Sequence, residues 1–296
     1  MNAIEIINLS KVYKGKKRGT VEALKGISLE IGVGEVFGFL GPNGAGKSTT
    51  IKILTGQIRA AGGDARILGV TAVDPVGRRK VGYLPENPAF YDFLTAREYL
   101  RFVGRTFAMD EKAIVGESSR VLELLDLLPA ADRPIRGFSK GMVQRLGMAQ
   151  VLLHDPEVCI LDEPMSGLDP MGRSLVKEII KDLKKQGKTV FFSTHITADV
   201  EVVCDRVGVI AGGRLLAVDS VSNILESGVA GYLVQVSRPD GSAEEIFVDK
   251  ARLQAGMQRI WAEGGAIERI EPKRQDMEAF FLEVVAKGRD EAERQN

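Results

Sequence analysis

The chain contains the segment Gly41-Pro42-Asn43-Gly44-Ala45-Gly46-Lys47-Ser48, directly after the strand-like run 35–40. Its order of Gly, four residues, Gly, Lys and Ser is that of a phosphate-binding loop. Glycines let successive backbone N–H groups turn inward around phosphate oxygens, and the helix predicted from Ser48 directs its positive end to the same place. Lys47 would contact the β and γ phosphates, and the Ser48 hydroxyl would bind Mg²⁺. The segment therefore predicts a site for a nucleoside triphosphate.

The composition is that of a globular chain without a dominant charge. The 296 residues are 44% hydrophobic, and 40 basic residues balance 40 acidic ones. This balance gives no support for a global nucleic-acid or anionic-lipid surface. No apolar run approaches the roughly 18 residues that span a bilayer, and the first residues lack a signal pattern, so we expect a cytosolic chain. Cys159 and Cys204 have no CxxC neighbour, and we expect both to be buried, reduced thiols.

Short apolar runs alternate with helical patterns along the chain. The runs are residues 4–9, 36–40, 158–161, 190–192 and 207–210. They are typical of a buried, mainly parallel sheet in an α/β fold. Helical patterns at 95–107, 113–128 and 141–153 predict a helical insertion between the second and third runs. After about residue 220 the pattern predicts two strands, a helix, a third strand and a last helix, which form a small α+β domain.

Two carboxylates follow the apolar run 158–161. Asp162 is suited to hold Mg²⁺, and Glu163 is suited to act as a general base toward water. The alternative is a buried strand that ends in two solvated acids before the turn at Pro164. The phosphate-binding loop elsewhere in the chain favours the catalytic interpretation.

Three further motifs occur in a fixed order around Asp162. They are Phe138-Ser139-Lys140-Gly141-Met142-Val143-Gln144-Arg145, Ser166-Gly167-Leu168-Asp169 and Ser193-Thr194-His195. With this set, residues 1–220 resemble the ATP-binding cassette (ABC) family. The resemblance implies a RecA-like P-loop NTPase core with an antiparallel β subdomain and an inserted helical subdomain at about 87–155. Residues 221–296 would form the accessory α+β domain.

The resemblance assigns the signature and interface residues. Ser139 and Gly141 would bind the γ-phosphate held by an opposite subunit, at a helix N-terminus that favours an anion. Ser139 can also cap that helix, and both roles can hold at once. The signature departs from the usual Leu-Ser-Gly-Gly-Gln at three of five positions and keeps Ser139 and Gly141. Asp169 would cross the dimer interface; alone, it would indicate only a turn and a helix start.

The resemblance also assigns the remaining site residues. His195 matches the switch histidine that contacts the γ-phosphate and the attacking water, and Tyr13 matches the aromatic that stacks on adenine. Glu86 stands where the family usually has a Gln that touches Mg²⁺; a carboxylate can bind the metal but adds a charge. The implied ATP contacts are Tyr13, Gly41, Pro42, Asn43, Gly44, Ala45, Gly46, Lys47, Ser48 and Thr49. The implied metal contacts are Ser48, Asp162 and Glu86, and the implied catalytic residues are Glu163, His195 and Lys47.

The implied function is that of an ATP-binding subunit. Two cassettes would close around two Mg·ATP, and hydrolysis would drive export through a separately encoded polytopic membrane subunit, with this chain at the cytoplasmic face of the membrane. The second cassette could be a copy of this chain or a paralogue. The single cassette and the appended tail resemble ATPases of type-2 ABC exporters, which serve efflux of drugs, sodium, lipids or polysaccharides. Residues 88–95 lie where the family docks its membrane partner, with a buried loop as the alternative.

A soluble ABC ATPase of DNA repair or translation is the alternative function. Repair members carry a long coiled coil between the phosphate loop and the signature, and the roughly 90 residues here leave no room for one. Translation members usually contain two cassettes, whereas this sequence has one phosphate-binding loop. A simple P-loop kinase would not explain the signature, Asp169 and His195 together. The transporter interpretation is therefore favoured, and no nucleic-acid partner is expected.

Overall fold

A computed structural model describes residues 2–14, 19–226, 229–238, 242–274 and 276–294. The strands are β1 (Asn2–Lys14), β2 (Thr20–Gly32), β3 (Val36–Leu40), β4 (Gly62–Ile67), β5 (Val70–Thr71), β6 (Val81–Leu84), β7 (Val158–Asp162), β8 (Thr189–Thr194), β9 (Arg206–Ala211), β10 (Arg214–Ser220), β11 (Val229–Ser237), β12 (Ala243–Asp249) and β13 (Ala266–Arg274). The α-helices are α1 (Lys47–Leu54), α2 (Ala96–Thr106), α3 (Glu111–Leu124), α4 (Lys140–Leu152), α5 (Pro170–Lys185), α6 (Thr197–Val203), α7 (Val221–Glu226), α8 (Leu253–Ala262) and α9 (Met277–Arg294). Within these ranges, no helix has both the length and the apolar composition to cross a bilayer.

The central sheet has the order β10-β9-β3-β8-β7-β6. Its strands pair in parallel except β10, which pairs antiparallel with β9. Strands β3 and β7 are buried at every residue, which explains why they read as unbroken apolar runs. Because the strands are parallel, the carboxyl ends of β3, β7 and β8 meet at one edge. The segments that follow these three strands therefore come together there.

A second sheet, of order β2-β1-β4-β5, is antiparallel. The apolar run 4–9 lies in β1, so the expectation that it joins the mainly parallel sheet is wrong. A short apolar run gives no direction of pairing. Here β2 follows closely in sequence and pairs back on β1, from Asn2 opposite Gly32 to Lys14 opposite Thr20. The antiparallel β subdomain implied by the family resemblance is confirmed.

The α-helices α2, α3 and α4 lie between β6 and β7 in the sequence. Helix α2 begins with a capping box between Thr95 and Glu98, α3 is capped by Asp110 and α4 by Ser139. Their apolar faces join one core that also packs against the central sheet. The predicted helical insertion is confirmed, and each helix lies within or close to its predicted range.

The last part of the chain forms a smaller sheet of order β12-β11-β13, followed by a helix that leaves it. Helix α8 covers one face of this sheet through a cluster that includes Val234, Val248 and Ile260. The first residue of β11 pairs with the last residue of β13, Val229 with Arg274. Helix α9 packs instead against α6, α7, β9 and β10. Strands β11 to β13 and helices α8 and α9 follow the predicted order, but helix α7, which precedes them, was not predicted. The last helix lies against the core of the six-stranded sheet.

Both cysteines are free thiols. Cys159 is buried, and burial raises the pKa of its thiol to about 12. Cys204 is partly exposed as a whole residue, but its sulfur lies close to Gly38, and burial raises its pKa well above the ordinary value. Because the thiolate is the reactive form, both side chains are inert at neutral pH. This agrees with a structural role for each.

Candidate active site

The phosphate-binding loop joins β3 to α1 and lines a pocket of about 280 Å³. Two of its glycines are required by close packing. A side chain on Gly41 would place its Cβ 2.3 Å from the Ile210 carbonyl oxygen, and Gly46 has a left-handed φ of 114° with the Ala23 carbonyl oxygen 2.8 Å from such a Cβ. Gly46 is also the N-cap of α1 and contributes no capping side chain. The first N–H groups of the helix are therefore left to bind an anion.

Lys47 is the central cation of this pocket. It is 6% exposed, and its Nζ donates to the carbonyl oxygens of Gly41 at 2.7 Å and Pro42 at 3.2 Å. Its Nζ also lies 3.5 Å from a carboxylate oxygen of Glu163. The loop therefore fixes a buried ammonium group, which suits contact with phosphate oxygens.

A set of hard oxygen ligands lies beside the loop. The Oδ1 atom of Asp162 accepts hydrogen bonds from the Ser48 hydroxyl at 3.3 Å and the Ser193 hydroxyl at 2.5 Å, and Glu86 lines the same pocket. Among the described residues, no group of three or more His, Cys, Asp or Glu could hold a metal ion alone. Mg²⁺ commonly uses one or two carboxylates and takes its other ligands from phosphates and water. The donor set at this edge fits Mg²⁺.

Glu163 occupies a constrained turn at the end of β7. Its φ is 50°, unusual for a residue other than glycine, and it is 8% exposed. Its backbone N–H donates to the carbonyl oxygen and the hydroxyl of Ser193, at 3.2 and 3.1 Å. Both of its carboxylate oxygens lie 3.1 Å from Nδ1 of His195. The carboxylate is thus held between His195 and Lys47, at the mouth of the phosphate pocket.

Ser139, Gly141 and Asp169 form a second group of predicted site residues, on and beside the signature helix. Ser139 caps α4 by accepting from the Met142 N–H, and Asp169 caps α5 by accepting from the Gly172 N–H. A Cβ on Gly141 would lie 3.6 Å from the Leu168 side chain, so the signature helix and the segment before α5 are neighbours. The structure brings the signature helix and the segment before Asp169 together, and none of Ser139, Gly141 and Asp169 lines the phosphate pocket of the same chain. This separation is what a site shared between two subunits requires.

Tyr13 lies on β1, opposite Val21 of β2. It is partly exposed, and the Nζ of Lys11 lies 5.3 Å from the centre of its ring. Two residues beyond Val21, Ala23 lines the phosphate pocket. The tyrosine is therefore carried on the strand pair that borders the pocket, and 38% of it is exposed.

Sequence reasoning missed two buried polar side chains of the site. Ser193 binds both Asp162 and the backbone of Glu163. Gln144 of α4 donates to the carbonyl oxygens of Glu163 at 3.4 Å and Pro164 at 3.2 Å. Both residues lie within the motifs 138–145 and 193–195, which predict no role for them. A polar residue within an apolar strand or on the inner face of a helix was the signal that could have found them.

Comparison with known proteins agrees with this geometry. Residues 24–166 match the model of the ABC transporter family. An uncharacterised ABC transporter ATP-binding protein of Synechocystis sp. is 49% identical over 267 residues, which cover 88% of this chain and 73% of the relative. A fluoroquinolones export ATP-binding protein of Mycobacterium tuberculosis is 39% identical over 222 residues, covering 74% of this chain and 72% of the relative.

A solved structure shows the same fold. It is described as a dimeric post-hydrolysis state of an ATP-binding cassette bound to ADP and Pi, with a TM-score of 0.69 and 24% identity, and the match covers 74% of this chain and 98% of that chain. None of the relatives named here is a repair or translation protein, so that alternative gains no support. The phosphate pocket, the carboxylates beside it, the family model and the sequence relatives lead to one conclusion: the chain belongs to the ABC transporter family, as an ATP-binding subunit with ATPase activity.

Proposed function

We propose that this chain binds Mg·ATP in the pocket at the phosphate-binding loop, hydrolyses it in a dimer of cassettes, and drives export through a separately encoded polytopic membrane subunit. The observation that carries the proposal is the convergence of Lys47, Ser48, Asp162, Glu163 and His195 at one edge of the parallel sheet. A cation, metal ligands and a carboxylate that can face water are the parts that phosphoryl transfer to water requires.

Each residue of this edge has a proposed part in hydrolysis. Lys47 holds the β and γ phosphates in place of its present contact with Glu163. Glu163 takes a proton from the attacking water, and His195, bonded to both of its carboxylate oxygens, orients that carboxylate and contacts the γ-phosphate. Ser48 and Asp162, with Glu86 nearby, would hold Mg²⁺, which would supply positive charge next to the phosphates.

Tyr13 is proposed to stack on the adenine ring. We expect Tyr13→Ala to weaken ATP binding about tenfold, since stacking of a base on an aromatic side chain contributes about 1–3 kcal/mol. Tyr13→Phe keeps the ring and should bind ATP as the unchanged chain does. Equilibrium binding of a fluorescent ATP analogue to both variants measures this. If Tyr13→Ala and the unchanged chain bind ATP with equal affinity, Tyr13 does not contact the adenine ring.

The dimer is proposed from the separation of the two groups of site residues. Ser139, Gly141 and Asp169 are proposed to complete the nucleotide site of a second cassette, a role supported by their absence from the lining of the phosphate pocket of their own chain. The dimeric cassette whose fold this chain shares supports such an assembly. The second cassette is either another copy of this chain or a paralogue.

The membrane partner is proposed to dock on an aromatic surface formed by Tyr91, Phe93 and Phe102. These side chains are 56%, 67% and 48% exposed, and the Tyr91 ring centre lies 6.0 Å from that of Phe93 and 6.1 Å from that of Phe102. Phe90 packs against the core beneath them, so the segment 88–95 is part buried and part open. Exposed aromatic clusters are typical of protein interaction sites. Docking there would place the chain at the cytoplasmic face of the membrane.

Phe93→Asp is expected to reduce recovery of the membrane subunit at least about tenfold, because it replaces the most exposed ring of the aromatic surface with a charge. The measurement is affinity purification of the full-length chain from detergent-solubilised native membranes, with polytopic proteins identified by mass spectrometry. Val115→Asp is the matched control, since Val115 is also exposed on the helical insertion but lies outside the aromatic surface. ATP binding by both variants should be unchanged.

Two outcomes of this purification would count against the proposal. Equal recovery of the membrane subunit with Phe93→Asp and Val115→Asp would move the docking site elsewhere. Recovery of only soluble protein or nucleic acid with the unchanged chain would contradict the transport function itself.

A further inference from the structure

We propose that Gln144 is a positioning residue that links the two ATP sites of the dimer. Its side-chain amide joins the signature helix α4, which would contact one ATP, to the backbone of Glu163, which would act on the other. The inference rests on the proposed roles of Ser139 and Glu163, and it adds to them a physical connection between the two sites.

Gln144 is a buried polar side chain whose amide makes specific hydrogen bonds. It is 4% exposed on a helix whose inner face is otherwise apolar, with Leu146 and Met148 in the core. Its Nε2 donates to the carbonyl oxygens of Glu163 and Pro164, which lie 19 and 20 residues farther along the chain. A buried amide is retained at the cost of desolvation, and a leucine or methionine would fill the same space. The hydrogen bonds to this turn are therefore what the amide provides.

The turn that Gln144 holds is the one that sets the direction of the Glu163 carboxylate. Ser193 fixes the backbone N–H of Glu163, and the N–H of Ser166 donates to its carbonyl oxygen at 3.0 Å. Gln144 is a second donor to the Glu163 carbonyl oxygen, and it also donates to the carbonyl oxygen of Pro164. With a left-handed φ of 50°, Glu163 depends on such contacts to keep its conformation. A change in the position of Gln144 changes the angle at which the carboxylate faces the phosphate pocket.

The other end of the connection is the start of α4. Ser139 is the N-cap, and Gln144 lies five positions later, which is about 7.5 Å along a helix axis at 1.5 Å per residue. We treat a helix of this length as a rigid body, so any shift of its N-terminus on binding an anion would carry Gln144 with it. That anion would be the γ-phosphate of the ATP held by the partner cassette. Binding of ATP there would therefore change the orientation of Glu163, which acts on the ATP held by its own chain.

The test is a double-mutant cycle in the full-length chain. Steady-state ATP hydrolysis and equilibrium ATP binding are measured for the unchanged chain, Ser139→Ala, Gln144→Met and the double variant. We expect Gln144→Met to lower kcat about tenfold and to leave the KM and Kd for ATP within about twofold, because the phosphate pocket keeps all its contacts. The double variant should be no slower than the slower single variant, since both changes interrupt one connection.

Two further variants separate this role from a general effect on folding. Gln150→Met is the matched control, because Gln150 lies on the same helix and accepts from the Tyr99 hydroxyl at 2.5 Å without contacting the turn at Glu163. It should leave kcat unchanged. Gln144→Asn keeps a polar amide but is too short to reach both carbonyls, and it should lower kcat with ATP affinity preserved. This second variant keeps the proposal testable if the Met variant does not fold.

The possible failures are distinct. If Ser139→Ala leaves kcat unchanged, the proposed contact of α4 with the second ATP is wrong. If Ser139→Ala and the Gln144 variants each lower kcat and their effects multiply in the double variant, the two residues act independently and the connection is refuted. A loss of ATP affinity in Gln144→Asn equal to its loss of kcat would assign Gln144 to structure alone and would also overturn the inference.

Discussion

Glu163→Gln is expected to lower the rate of ATP hydrolysis about a thousandfold and to leave ATP binding intact. A positioned general base contributes about 10²- to 10⁴-fold to a rate, and an amide of the same shape cannot take a proton from water. The substitution also removes the ionic contact between Glu163 and Lys47, which competes with phosphate for the ammonium group. ATP affinity should therefore be equal to or higher than that of the unchanged chain, and the closed dimer should persist in ATP.

The measurements are single-turnover hydrolysis and equilibrium ATP binding, with dimer formation followed by size-exclusion chromatography with light scattering. Glu157→Gln is the matched control, because Glu157 precedes the same strand and pairs with Lys80 at the surface. Its hydrolysis rate should not change. Turnover by Glu163→Gln at more than about a tenth of the normal rate would exclude Glu163 as the base and direct attention to His195.

Lys47→Met is expected to weaken ATP binding by at least about a hundredfold. A hydrogen bond to a charged group contributes about 1.5–3 kcal/mol, and Lys47 is proposed to contact two phosphates. Methionine fills similar space, so the loop should keep its path while losing its cation. Hydrolysis should fall below detection at ATP concentrations that saturate the unchanged chain. Isothermal titration with ATP in the presence and absence of Mg²⁺ measures the loss.

Lys52→Met provides the comparison for this change. Lys52 lies on the same helix α1 but is exposed on its outer side, so the same loss of one positive charge should alter ATP affinity less than about twofold. A similar loss of affinity in both variants would show that net charge, and not a contact of Lys47, attracts the nucleotide.

Much of the fold could be predicted because the sequence patterns are local. The segment 41–48 requires glycines at positions that the structure shows to be closely packed, and the burial of β3 and β7 on both faces produced unbroken apolar runs. The direction of strand pairing could not be predicted for the run 4–9. That direction depends on β2 and β4, which lie on either side of β1, and a short run contains no information about its neighbours.

The candidate site was predictable to the extent that parallel strands bring their carboxyl ends together. Asp162 ends one of three adjacent strands, and Lys47, Glu163 and His195 come after the ends of these strands. All four converge in the structure. The contacts of Ser193 and Gln144 were not predictable in the same way. The contact of Gln144 depends on the angle at which α4 packs against the turn at Glu163. The contact of Ser193 depends on which residue of β8 faces Asp162. The spacing of residues along the chain predicts neither.

The small sheet β12-β11-β13 is an insertion whose two ends meet. Because Val229 pairs with Arg274, the chain enters and leaves the small sheet at neighbouring positions. A short turn could therefore replace the sheet, and a different domain could be inserted at the same point. Removing everything after residue 220 would have another effect. Helix α9 would be lost with it, and Met277 would leave the apolar cluster that contains Leu40, the last residue before the phosphate-binding loop. A chain cut after residue 220 would therefore lose part of the apolar cluster that packs beneath the phosphate-binding loop. A chain that lacks only the small sheet would keep that cluster.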